Sequence, residues 1–186
     1  AGLTTAEPAF QREVVERVNA GAKPVEAVRQ TRKAHLSDPA PMTGKYRVIY
    51  ADPPWKYGDT RDGLAGYSAA VDHYPAMSIP DLCDLPVKEL AEENSVLFLW
   101  TTSPLLEDVF QILNAWGFRY KASIVWDKVG HNVGHYVSVR HEFLLICTRG
   151  SCLPDIPTLH DSVVSIEKTR EHSRKPDEFY QLIERV

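Results

Sequence analysis

The chain has 186 residues, 44% of them hydrophobic and 25% charged, which suits one domain with a full core and a small appendage. It holds no apolar run of the roughly 18 residues a membrane span needs, no basic-then-apolar leader, and no C-x-x-C pair among Cys83, Cys147 and Cys152. The expectation is a soluble protein of a reducing compartment, cytoplasmic or nuclear, with no disulfide framework, no metal and no membrane partner. The net charge of −4 excludes a uniformly basic nucleic-acid binder.

In chain order, residues 8–35 read as two helices. "PAFQREVVERVNAG" closes on Gly21, a helix-stop signal, and "KPVEAVRQTRKAHL" has Pro24 at a plausible first turn. These helices concentrate Arg12, Arg17, Lys23, Arg29, Arg32 and Lys33, and a second basic cluster, "KTREHSRK", spans residues 168–175. Both could suit a phosphate backbone, but taken alone the solvated surface is the reading put first. "SDPAPMTGK" (37–45) is a linker, which places a helical extension at 1–40 and the main domain at 41–186.

"YRVIYA" (46–51) reads as a buried strand, 56–76 as a long functional loop, and "SIPDLCDLPVKELAEE" as mostly helical. "SVLFLWT" (95–101) is a fully apolar strand. "SPLLEDVFQILNAWGF" is a helix capped by Ser103, with Pro104 at its first position and Gly117 at its end. "KASIVWDK", "HEFLLICTR" and the shorter "SVVSIE" are strands, and "KPDEFYQLIERV" is a final helix. Apolar strands alternating with helices predict an α/β fold with a largely parallel sheet.

The sequence breaks its own pattern at "YADPPWKYGD" (50–59). Two consecutive prolines end the strand, and the residues before them are held out of the helical region. In an open α/β sheet, ligands sit at the carboxyl ends of strands, where Asp52 stands. A carboxylate and a proline-stiffened carbonyl are two fixed acceptors, which match the two donors of an exocyclic amino group. Trp55 adds a flat surface on which a base stacks. Such a pair would aim the lone pair of a weakly nucleophilic amine at a methyl donor, by orientation and electrostatics. The plainer alternative is a strand-ending turn followed by a buried tryptophan.

"VIYADPPWKYGD", "HYPAMSIPDL", "VLFLWTTSPLLEDVFQILNAWGFRY", "IVWDK", "HEFLLICTRG" and "HSRKPDEFYQLIERV" together resemble the DPPW-type adenine-N6 methyltransferases. This METTL-like group includes the mRNA N6-adenosine methyltransferase subunits and bacterial and phage relatives. The resemblance runs from about residue 46 to the last. It implies a Rossmann-like fold with permuted motif order, S-adenosylmethionine as cofactor, and adenine in nucleic acid, DNA or RNA, as target. The compact core and short basic N-terminal helices look more like the bacterial and phage members and favour DNA.

Residue by residue, it implies that Asp52, Pro53, Pro54 and Trp55 form the target-amino site, with Asp52 also facing the cofactor. Lys175 and its neighbour Ser173 belong to the cofactor's carboxylate end. Tyr74 lies in a gate loop, and Glu142 is an acid near the target base. Each has a plainer reading: a surface lysine, a capping serine, a packing tyrosine, a salt-bridged glutamate. His73 and Trp100 are expected to be scaffold, and a homodimer or heterodimer is compatible with the group.

The resemblance also implies a further strand after "YQLIERV", then Gly-Trp and Asn segments that hold the cofactor's ribose and adenine. The sequence stops before them, and a continuation past Val186 is expected. The alternative is a catalytically inactive, methyltransferase-like scaffold or nucleic-acid-binding subunit of a partner enzyme.

Overall fold

The structure, a computed structural model, describes residues 8–34, 42–56, 76–130, 136–155, 159–168 and 174–184. They fall into two compact units, one holding the N-terminal helices and the other the sheet. The first contains α1 (Pro8–Asn19) and α2 (Pro24–Ala34), which pack on each other. Gly21 turns the chain between them at φ +99°, a left-handed conformation that glycine adopts without penalty.

The second unit is built on five strands: β1 (Tyr46–Ala51), β2 (Ala91–Thr101), β3 (Arg119–Asp127), β4 (His141–Arg149) and β5 (Val163–Ser165). Their order is β1-β2-β4-β3-β5. β1 pairs parallel with β2 and β5 parallel with β3, while β4 runs antiparallel to both neighbours. Four strands therefore share one direction and β4 alone is reversed, so the sheet is largely parallel as the apolar strands predict. The reversal brings the start of β4 to the edge where the other strands end.

Helices α3 (Ile79–Cys83), α4 (Val87–Leu90), α5 (Val109–Trp116) and α6 (Asp177–Ile183) complete the unit. Strand alternation splits the core. Leu97, Leu99 and Leu145 pack with Val109, Ile112 and Trp116 of α5 in one cluster. Phe98, Trp100, Ile124, Trp126 and Leu144 pack with Phe179 of α6 in the other. Cys147 is buried in the first cluster, where loss of water pushes its thiol up to about 12.

Four local expectations are corrected. β1 is not fully buried among the described residues: its first three residues, Tyr46 and Val48 among them, are exposed and its last three are half-buried. The segment 79–94 is less helical than its composition suggests. Pro86 separates two short helices, and "AEEN" already belongs to β2, where Ala91 pairs with Tyr46. The helix expected from Ser103 is a 3-10 turn over Ser103–Leu105 followed by the eight-residue α5. Ser103 caps neither element, and its hydroxyl instead meets His141 Nε2 at 2.9 Å. Gly117 does end α5, in the left-handed conformation at φ +78°.

Candidate active site

Asp52 is the first residue past β1, and the segment after it is stiff for a visible reason. Trp55 N–H donates to Pro53 O at 2.9 Å, closing a three-residue turn. Met77 N–H donates to Pro54 O at 2.8 Å and Lys56 N–H to Met77 O at 3.0 Å, tying the turn to the residue before Ser78. The carbonyls of both prolines thus each accept one backbone hydrogen bond. Each keeps one acceptor site. Trp55 is only 9% exposed and lies in the α5-side core cluster. An open stacking platform is not what the described conformation presents, and the plainer reading of a tryptophan buried beneath the turn describes its place.

Four charges line up along the strand-end edge. Lys175 Nζ lies 2.9 Å from Asp52 Oδ2 and 3.2 Å from Glu142 Oε2. The other Glu142 oxygen accepts from Lys128 Nζ. The sheet supplies three of the four: Asp52 follows β1, Lys128 follows β3, and Glu142 is the second residue of the reversed β4. Lys175 arrives from the segment just before α6, whose Phe179 is anchored in the core.

Burial and pairing compete in this lane. Lys175 is the one charged residue among the buried polar groups described, at 7% exposure. Burial alone would lower its pKa, but Glu142 and Asp52 outweigh that and hold the ammonium above its ordinary value. Burial likewise pushes Glu142 up, and Lys175 and Lys128 together outweigh it, so its carboxyl sits below the usual range. Asp52 has the opposite balance. Burial raises its pKa, and Lys175 offsets that only in part. Its side chain is 33% exposed, so of the two acids Asp52 is the more open to a ligand and the more readily protonated.

An aromatic floor lies under the two lysines. Lys175 Nζ stands 5.1 Å from the Trp100 ring and Lys128 Nζ 5.1 Å from the Trp126 ring. The rings meet edge to face at 6.0 Å, and Phe179 joins Trp100 at 4.9 Å. Both indole N–H groups are satisfied, Trp100 by Tyr50 Oη and Trp126 by Ile166 O, each at 2.8 Å.

Of the residues expected from the sequence, Asp52, Lys175 and Glu142 are brought into one ion-paired group, and the glutamate is salt-bridged. Ser173, Tyr74 and His73 lie outside the described residues. Sequence reading passed over Lys128, Trp126 and Tyr50. Lys128 carried a usable signal, a cation one residue past a strand end, but its partner becomes visible only through the β3–β4 register that sets Trp126 opposite Glu142. Asp127 was also missed. It accepts from Val129 N–H, Arg140 and Ser165 at 2.9, 3.0 and 3.1 Å, and so ties the ends of β3 and β5 to the residue before β4.

The MT-A70 family profile matches residues 46–186, the whole of the strand-bearing segment. The chain belongs to the MT-A70 family. Within that family and its neighbours, it is 34% identical over 152 residues to the type II methyltransferase M.MunI of a Mycoplasma species, covering 71% of this chain and 63% of that one. It is 30% identical over 153 residues to the putative N(6)-adenosine-methyltransferase MT-A70-like protein of Medicago truncatula. It is also 30% identical over 153 residues to the N(6)-adenosine-methyltransferase catalytic subunit METTL3 of Homo sapiens. These two alignments cover 78% of this chain and 23% and 24% of the relatives. The chain thus spans under two thirds of the first relative and about a quarter of the others. The MT-A70 match begins at β1, and α1 and α2 lie before it.

Proposed function

We propose that this MT-A70 chain is the catalytic part of an S-adenosylmethionine-dependent adenine-N6 methyltransferase acting on nucleic acid, with DNA ahead of RNA. The observation that carries the reading is the Asp52–Lys175 pair at the strand-end edge, with Glu142 beside it. The preference for DNA is supported by the higher identity to the type II methyltransferase, 34% against 30%, and by the larger share of that relative's own length that the chain spans, 63% against 23% and 24%.

The residues present fit the cofactor's amino-acid end. A carboxylate and an ammonium side by side are the complement of an ammonium and a carboxylate, so Lys175 would hold the acid group and Asp52 the amino group or the target amine. S-adenosylmethionine supplies a methyl group carried on a sulfonium. Asp52 accepts from the target N–H, aims the nitrogen lone pair, and stabilises the positive charge that grows on nitrogen. The remaining acceptor site of the Pro53 carbonyl is a candidate for the second N–H. Glu142, held ionised by two lysines, keeps Lys175 charged and fixed. A duplex target requires the adenine to be flipped out of the stack.

The test is transfer of labelled methyl from S-adenosylmethionine to adenine in duplex DNA, single-stranded DNA and RNA by the full-length native protein. Transfer to DNA above RNA is expected, with N6-methyladenine as product. A full-length protein that binds the cofactor yet labels none of the three would overturn the proposal.

A further inference from the structure

Lys175 is a buried ammonium whose position matters to within a hydrogen bond, yet its two carboxylate partners leave one side of it open. That side faces Trp100. The ring centre is 5.1 Å from Nζ, within the reach at which an aromatic face attracts a cation. Trp100 is 1% exposed and fixed from three directions: its N–H donates to Tyr50 Oη at 2.8 Å, Phe179 meets its edge at 4.9 Å, and Trp126 at 6.0 Å. Phe179 lies in the first turn of α6, just after the segment that carries Lys175. The same indole therefore anchors α6 and lies under the charge that the start of α6 delivers. Tyr50 is two residues before Asp52 on β1, so its hydroxyl ties the floor of the lane to the strand that carries the other end of the ion pair.

We infer that Trp100, locked by the Tyr50 hydroxyl, is a positioning residue that sets the height of the Lys175 ammonium between Asp52 and Glu142. It is more than core filling. A leucine in its place would keep an apolar residue but remove the π face, a phenylalanine would keep the face without the N–H, and Tyr50→Phe would release the indole while leaving every ring in place. This inference rests on the proposed function only for its effect on catalysis, and the position of Lys175 is measurable without it.

Two measurements on the full-length protein separate the roles. In lysine-labelled protein, assigned with Lys175→Met, the ε-methylene resonances of Lys175 are expected upfield of the other lysines, shifted by the ring beneath them. Trp100→Leu should erase the shift, and Trp100→Phe should keep part of it. By calorimetry, Trp100→Leu should weaken S-adenosylmethionine binding about three- to tenfold. Trp100→Phe and Tyr50→Phe should fall between it and the wild type, with the KM for nucleic acid unchanged. A Lys175 signal coincident with surface lysines, or one that persists in a folded Trp100→Leu variant, would overturn the inference. So would equal cofactor affinity in the leucine and phenylalanine variants. A wild-type protein that binds no cofactor would sink the proposed function, while the resonance measurement would still decide this point.

Discussion

Lys175 Nζ lies 2.9 Å from Asp52 Oδ2, joining the residue that follows β1 to the segment that precedes α6. The contact closes a ring of structure around the strand-end edge, and it makes each residue's charge depend on the other's. Asp52→Ala should lower methyl-transfer turnover on the order of 10²- to 10³-fold, the usual cost of losing an oriented group at the reacting atom. Lys175 keeps Glu142, so the fold should stand. Turnover together with a thermal melt checks this, and near-normal turnover, or loss only through unfolding, contradicts it.

Removal of Glu142 should act on stability before chemistry. Glu142→Ala leaves the buried Lys175 and the half-buried Lys128 with one fewer counter-charge. Breaking a buried pair by removing one partner typically costs about 3–5 kcal/mol. The lower end is expected, because Asp52 still faces Lys175. Denaturant unfolding measures it, and a loss within about 0.5 kcal/mol, the range of an ordinary surface substitution, would contradict the buried lane.

The two acids should respond to pH in opposite senses. Glu142 has a depressed pKa in the folded state, so it contributes stability that is present above its unfolded value and lost as pH falls through the folded one. Asp52 has a raised pKa, so its ionisation weakens the folded state as pH rises from the ordinary aspartate value through the raised one. If the proposed function holds, turnover uses the Asp52 carboxylate, and the acid limb of the rate profile should lie above the ordinary aspartate range. Lys175, also raised, contributes stability that persists below its unfolded value and fades as pH climbs through the folded one. Stability profiles of wild type, Glu142→Gln and Asp52→Asn separate these contributions, and parallel acid limbs in the two variants would contradict the assignment.

Gly150 offers a check far from the site. It turns the chain after β4 at φ +60°, and a Cβ there would meet Asn94 Oδ1 and the Glu93 carbonyl oxygen at 2.4 Å. Gly150→Ala should cost about 1–3 kcal/mol from the left-handed backbone alone, with the clash against backbone adding to it. Unfolding midpoints decide, and an unchanged midpoint contradicts it.

The element types along the sheet were legible because each central strand is apolar on both faces. Three residues of the ion-paired group were legible where they sit inside recognisable motifs: Asp52, Glu142 and Lys175. What the sequence concealed depends on pairing. β1 has the composition of a buried strand, and only its place beside β2 shows that, among the described residues, its first half is exposed. "AEEN" has the composition of a helix end, and only the ladder makes it β2. Lys128 and Trp126 acquire meaning through the register opposite Glu142. Trp55 reads either as a stacking surface or as a buried tryptophan, and the structure gives the second, with Met77 bonded to Pro54 and packed against the same cluster.

The reversal of β4 turns the chemistry of the edge into a question of parity. Even-numbered residues of this strand, Glu142, Leu144 and Ile146, share the face that carries Trp100 and Trp126, while odd-numbered Phe143, Leu145 and Cys147 face α5. Loop length before His141 can vary without consequence for that assignment. A single deletion between Glu142 and Leu144 would not be tolerated in the same way, because it would carry the imidazole of His141 between Lys128 and Lys175 and turn the carboxylate away. Three cationic or proton-accepting groups would then stand where two lysines now share an acid. Chain-length changes inside β4 should therefore be far rarer among working relatives than changes just upstream of it.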